Sequence, residues 1–289
     1  MGALALAHDG HDIVLAAIGR SDASGLRRLT RVLGRERVLV KPDLAAHAKR
    51  IEALAPDLVV SWFWTKRIPT AVVRAAKVDA FNVHPSLLPR HRGADPIFWT
   101  IDSGDAITGA TAHRLEDRYD TGTIYAQRTI AVDPAWNAWT LALRLDRVTL
   151  ALLRETVAGF ARGETPEARP QDEALATHAP TPSDDDLVVQ WKNDDAERIA
   201  RRIRAAAPWP GMLTEVGDRA LLITRAEVTE DVPRALQPAE AALVHGCVVV
   251  RARDRGLRLI SARDAETDAE LSPGELAGLI TSVPSASFG

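Results

Sequence analysis

Asn82 and His84 lie two residues apart at the end of the apolar run Ala80–His84, and Pro85 follows directly. In an extended strand, residues i and i+2 project to the same side, so an amide and an imidazole face one spot. Pro85 supplies no backbone donor and biases His84 toward extended geometry, so the strand ends here and Ser86–Gly93 runs on as a loop. A carboxylate, Asp120, stands before the Gly-containing turn Thr121-Gly122. These three groups suit acyl transfer. The amide and an imidazolium stabilise an oxyanion, and the carboxylate orients the imidazole or accepts a proton. His84, His91 and His113 come without cysteine or tightly spaced carboxylates, so no metal site is expected.

The flanking pattern must deliver these groups. Residues 2–7 have the character of a helix end, His8–His11 of a turn, and Asp12–Ile18 of a strand. Helices are expected over Ser24–Leu33, Leu44–Leu54 and Thr70–Ala76, with strands at Val38–Val40 and Leu58–Trp62 between them. A helix from Asp95 to Asp102, strands at Gly109–Leu115 and Ile124–Ile130, and a long amphipathic helix beginning at Thr140 complete the first part. Alternating strands and helices imply an α/β fold with a doubly wound parallel sheet, which places ligands at the carboxyl ends of its strands. Residues 163–186 are rich in Pro, Thr and acids and mark a linker. Beyond it, Asn193-Asp194-Asp195 caps a helix with Ala196, Ile199 and Ile203 on one face. Strands at Ala220–Ile223, Gly246–Ala252 and Leu257–Ala262 follow, then a helix capped by Ser272-Pro273-Gly274-Glu275.

An Asn-x-His pair alone is commonplace in structural strands; a longer string is more specific. Asn82-Val83-His84-Pro85-Ser86-Leu87-Leu88-Pro89, Arg92-Gly93, Gly104-Asp105, Thr108-Gly109 and Asp120-Thr121-Gly122 together resemble the 10-formyltetrahydrofolate-dependent formyltransferase family. Trp191, Ile199, Ile203-Arg204-Ala205 and Pro208-Trp209-Pro210-Gly211 look like the start of the carboxy-terminal domain of its two-domain, methionyl-tRNA formyltransferase-like members. The resemblance implies a Rossmann-like catalytic domain over residues 1–165, a linker over 166–188, and a small OB-like β-barrel domain over 189–289. It implies Asn82, His84 and Asp120 as catalytic residues. Donor contacts would come from Arg67, Ile68, Ser86, Leu88, Asp117 and Tyr119, and acceptor contacts from Arg92, Asp95 and His113. Phe63 and Trp64, in the loop that aligns with the folate-lining segment, are equally readable as core. Gln171–Ala179 resembles the strand that crosses between the two parts. Family members open with a further strand, absent here; its loss from mid-sheet would leave two neighbours without ladder partners, through either a start placed downstream or a rearranged sheet.

The donor implied is 10-formyltetrahydrofolate, and the acceptor an amine. The tRNA-acting members carry a basic insertion for which the chain between Ile18 and Leu39 has no room, so a small-molecule amine is expected: an aminosugar, an amino acid or a carrier-bound aminoacyl group. The alternatives are methionyl-tRNA, water in a formyltetrahydrofolate hydrolase, and a folate-binding relic without catalysis.

Bulk properties bound the rest. The chain has 289 residues, 46% hydrophobic and 26% charged, enough for two cores, and its net charge of −3 gives no general pull toward nucleic acid. The first 50 residues carry nine Lys or Arg against five Asp or Glu, a mildly basic face whose default is solvent. One cysteine, Cys247, excludes an internal disulfide framework and fits a reducing cytoplasm. No apolar run approaches the roughly 18–20 residues of a membrane span, and the opening residues lack a signal peptide's basic start.

Overall fold

The computed structural model describes residues 1–164, 166–282 and 288. The chain divides into two compact units. The first comprises Met1–Ala94, Ile107–Ile130 and Arg144–His178, and the second Asp95–Ala106, Ala131–Leu143 and Ala179–Gly289. Among the described residues, no helix is long and apolar enough to cross a membrane.

In chain order the elements are α1 (Gly2–His8), β1 (Ala16–Ile18), α2 (Leu26–Leu33), β2 (Val38–Val40), α3 (Ala48–Leu54), β3 (Leu58–Trp62), α4 (Thr70–Val73) and β4 (Asp79–His84). Then come α5 (Pro96–Asp102), β5 (Ile107–Arg114), β6 (Ile124–Ala131) and α6 (Ala138–Ala161). Several expected elements are shorter than their pattern: α2 begins at Leu26 rather than Ser24, and α4 ends at Val73 rather than Ala76. Only the last three residues of Asp12–Ile18 form a ladder. Helix α3 begins four residues later than its apolar spacing suggests, because the Asp43 carboxylate takes the Ala45 N–H at 3.0 Å and turns the chain there.

In the first unit, β1 and β2 pair in parallel, as do β3 and β4. The strand order β3-β4-β5-β6 makes a second sheet, with β5 antiparallel to β4. Among the described residues β1 has β2 as its ladder partner and β3 has β4, so each of the two has one open side. Strand β4 is the centre of this unit. Phe81 and Val83 on one face are fully buried with Ala110 and Ala112 of β5, Leu6 of α1, and Leu152, Leu153 and Val157 of α6. Asn82 and His84 take the opposite face, as period-2 alternation requires. The β4–β5 register sets Asn82 against His113 and His84 against Thr111, so β5 adds two more polar residues to that side.

The second unit holds α5, capped by the Asp95 side chain accepting from the Phe98 N–H at 3.1 Å, and α7 (Ala196–Ala206), capped in the same way by Asp195 and the Arg198 N–H at 2.8 Å. Arg202 of α7 is almost fully buried and donates through Nε to Asp102 at 3.0 Å. Strands β7 (Met212–Val216), β8 (Arg219–Thr229), β9 (Ala241–Val244), β10 (Cys247–Arg251), β11 (Gly256–Asp264) and β12 (Glu270–Leu271) follow, then α8 (Pro273–Ser282). They form an antiparallel sheet in the order β7-β8-β11-β10-β9, with β12 on β11. No pair closes it into a barrel among the described residues. Ser272 and Glu275 make the expected reciprocal cap of α8.

Candidate active site

Strand β4 ends at His84, and the loop after it is held rather than loose. The Thr111 hydroxyl donates to the Ser86 carbonyl at 2.7 Å and accepts the Leu88 N–H at 3.0 Å. Gln127 Nε2 donates to the Leu88 carbonyl and to the Thr111 hydroxyl, both at 2.9 Å. Ser86 spends its own hydroxyl on the Arg90 carbonyl at 2.7 Å. Ser86 and Leu88 are therefore buried supports of this loop.

Asp120 reaches the same spot from the turn before β6. Its backbone is left-handed, with φ of 55°. Two residues on, Gly122 passes so close to β5 that a Cβ there would lie 2.0 Å from the Arg114 carbonyl oxygen, a position no other residue can fill. The Asp120 carboxylate, 9% exposed, then has a partner on each side. Oδ2 accepts the Gly93 N–H at 2.9 Å and lies 3.5 Å from His84 Nδ1. Oδ1 lies 3.4 Å from both Asn82 Nδ2 and His113 Nε2.

The hydrogen bonds assign the proton positions. His84 Nε2 lies 2.8 Å from the His91 carbonyl, which only an N–H can satisfy, so in the neutral ring Nδ1 carries the lone pair toward Asp120. His113 Nδ1 donates to the Arg114 carbonyl at 2.9 Å, leaving Nε2 to accept from Asn82 Nδ2 at 3.1 Å. Burial lowers the His84 pKa more than the Asp120 charge raises it, so the ring is neutral at neutral pH. Burial works to raise Asp120, but His84, His113 and the Gly93 N–H together hold it down to about 2. The two groups titrate as a coupled pair: the attraction from His84 is felt when the ring carries a proton, and beside the neutral ring the carboxylate keeps the Gly93 N–H and the Asn82 amide as donors.

Asn82, His113 and Asp120 line an open cleft of about 470 Å³, solvent included. Arg67, Ile68, Asp117 and Tyr119 line it as well, and the Thr70 hydroxyl fixes Asp117 at 2.7 Å. His84 sits behind Asp120, not on the cleft wall. Arg92 is 5% exposed and forks onto Glu173 at 2.8 and 2.9 Å, with Gln171 Oε1 taking two further N–H groups. Its guanidinium is thus engaged within the protein. Asp95 belongs to the second unit, where it caps α5 and burial raises its pKa.

Several lining residues, among them Ser61, Lys66 and Leu115, were not expected from the sequence, which leaves Trp64 open between cleft and core. Ser61 pairs with Asn82 across β3–β4, and the lone polar residue in Leu-Val-Val-Ser-Trp was its signal. Trp64 also lines the cleft, with its indole N–H buried and without an acceptor among the described residues. Its neighbour Phe63 is exposed, so neither residue is simple core.

Comparison with known proteins agrees with this geometry. The formyl transferase model matches residues 32–157, and the formyl transferase C-terminal domain model matches residues 183–276. Methionyl-tRNA formyltransferase of Citrifermentans bemidjiense is 32% identical over 248 residues, 83% of this chain and 77% of that protein. The crystal structure of HypX from Aquifex aeolicus in complex with tetrahydrofolic acid superposes with a TM-score of 0.66 at 22% identity, covering 94% of this chain and 50% of that one. An N-formyltransferase from Helicobacter canadensis, in complex with folinic acid and dTDP-3-aminofucose, gives 0.59 at 16% identity over 86% of this chain and 99% of that one. At such identities the two structures speak to the fold alone, and this chain spans about half the length of HypX. Two family models over most of the chain and a relative matched over three quarters of its length decide the affiliation: the chain belongs to the formyltransferase family.

Proposed function

We propose that this protein moves a formyl group from 10-formyltetrahydrofolate to the amine of a small acceptor. The observation that carries the reading is the convergence of the Asn82 amide and the Asp120 carboxylate on one cleft wall, with a neutral imidazole behind the acid.

The cleft suits the donor on its own terms. Trp64 offers a flat ring system, Ile68 and Leu115 give apolar surface, and Lys66 and Arg67 supply cations for an anionic tail. The amine nitrogen attacks the formyl carbon, a C–N bond forms, and the carbonyl electrons move to oxygen. Asn82 has one N–H on His113 at 3.1 Å and a weaker contact to Asp120 at 3.4 Å; the weaker one is free to turn to the developing oxyanion. His84 has its Nε2–H committed to the His91 carbonyl, so it acts through Asp120 and not on the oxyanion itself. A carboxylate held at about 2 is too weak a base to keep the ammonium proton alone. The coupled pair solves this: while His84 is neutral it lends the acid no positive charge, so Asp120 can hold the proton on Oδ1, on the cleft side. Breakage of the bond to the folate nitrogen then returns the proton to that leaving nitrogen.

A small acceptor fits the short connection between β1 and β2, which leaves no room for a basic insertion. The folinic acid and aminosugar in the Helicobacter canadensis structure are in keeping with it. The second reading, methionyl-tRNA, is favoured by the name of the Citrifermentans bemidjiense relative. The test is release of tetrahydrofolate from 10-formyltetrahydrofolate with nucleotide-linked aminosugars, free amino acids, or charged initiator tRNA. Release that depends on a small amine supports the proposal. Release with charged tRNA alone supports the second reading, and release at the same rate without any acceptor marks a hydrolase and overturns both.

A further inference from the structure

We infer that Gln171 is a positioning residue for Asp120, acting as the hub of a hydrogen-bonded ring that includes Arg92. The inference rests on the reading that Asp120 handles the proton, and extends it to residues that never touch the substrate.

The ring can be followed bond by bond. Gln171 Nε2 donates to the Asp120 carbonyl at 2.8 Å and to the Gly122 carbonyl at 2.7 Å, bracketing the turn that carries the acid. Its Oε1 accepts from Arg92 Nε at 3.0 Å and Nη2 at 2.8 Å. The residue after Arg92, Gly93, donates its N–H to the Asp120 carboxylate at 2.9 Å. Asp120 is therefore held twice: its carboxylate by the Arg92-Gly93 backbone, its carbonyl through the Arg92 side chain and Gln171. The segment that brings Gln171 here is tied at both ends. Arg169 exchanges backbone hydrogen bonds with Ile124 at 2.7 and 2.9 Å, and the Thr177 carbonyl takes the Arg92 N–H at 2.9 Å.

Such a brace answers a specific need. Asp120 adopts a left-handed backbone that a residue with a side chain does not keep unaided, and a small rotation there would swing both carboxylate oxygens away from their partners. A glutamine amide suits the task because its two N–H groups reach two carbonyls while its oxygen stays free for a guanidinium.

The experiment compares the whole wild-type protein with Gln171→Met, which keeps the length and removes every hydrogen bond. The ring nitrogens of the histidines are read by long-range 1H–15N correlation, alongside thermal melting. The expected result is that the His84 and His113 signals move, because each ring lies within 3.5 Å of the Asp120 carboxylate, while those of His47 and His245 stay in place. Unmoved His84 and His113 signals, with or without a lower melting temperature, would overturn the inference and leave Gln171 a structural tie. Should Gln171→Met fail to fold, Gln171→Asn keeps the chemistry but is one methylene too short to span both carbonyls, and is judged by the same signals. No acceptor is needed, so this outcome is independent of whether formyl transfer is the reaction.

Discussion

Replacing Asp120 with asparagine changes one atom and removes the charge on which four groups converge. The magnitude follows from the depressed pKa: the carboxylate drops from its ordinary 3.8 to about 2 in the folded chain. At ~1.4 kcal/mol per pH unit, this is worth about 2 kcal/mol of folded-state stability. With the side chain 9% exposed, solvent screening removes little of it. The sign is fixed by linkage. A carboxylate with a lowered folded pKa contributes its full stability above the unfolded value near 3.8, and loses it as pH falls toward 2. Asp120→Asn should therefore cost about 2 kcal/mol at pH 7, and the gap from wild type should shrink below about pH 4. Because the chain has two compact units, a global melt is a poor gauge; hydrogen exchange at the β4 amides reports on the unit that holds the site. Equal protection of the two proteins at pH 7, or a gap as wide at pH 3.5 as at pH 7, would refute the assignment of this carboxylate as charged and favourably paired.

Asn82→Ala should lower turnover of an identified acceptor by roughly a hundredfold or more, since one oxyanion donor is commonly worth about 3 kcal/mol, while far-ultraviolet circular dichroism stays unchanged. His84 works in the same sense as Asp120 but in a higher pH window: its folded pKa lies below the ordinary 6.5, so the unfolded chain binds the proton first and stability declines as pH drops below about 6.5. Urea titrations at pH 7.5 and 5.5 should show that decline, and His84→Gln should flatten it. Asp102→Ala should destabilise the second unit by about 3 kcal/mol in urea unfolding, because it strips a buried Arg202 of its close partner and leaves Asp186 at 3.8 Å as a poor substitute.

What the sequence disclosed, and what it withheld, divides along the reach of the interactions. Asn82 and His84 were legible because a two-residue spacing on a strand fixes a face, and β5 places His113 and Thr111 opposite them. The caps of α7 and α8 were legible for the same local reason. Gln171 was not, since it sits in a segment of prolines and acids with no period, and its partners are 49 and 51 residues away. Arg92 came as an acceptor contact from the family resemblance, and the side chains that take its guanidinium, Gln171 and Glu173, lie 79 and 81 residues away, beyond the reach of any local pattern. Strands β7 and β9 were missed: Met-Leu-Thr-Glu-Val and Ala-Ala-Leu-Val are too short and too mixed to declare a strand before their neighbours are known.

The two faces of β4 have a consequence for how this protein can change over time. Phe81 and Val83 hold the interior, and Asn82 and His84, interleaved with them, face the cleft side, so a single hydrogen-bond ladder sets both. Sliding the strand by one residue would drive an amide and an imidazole into oil and push a phenyl ring toward the cleft. An insertion or deletion here cannot trade reactivity for robustness; it forfeits the two together. Diversification is thereby steered to the walls of the cleft, where Lys66, Arg67 and Tyr119 can be exchanged without disturbing the alternation.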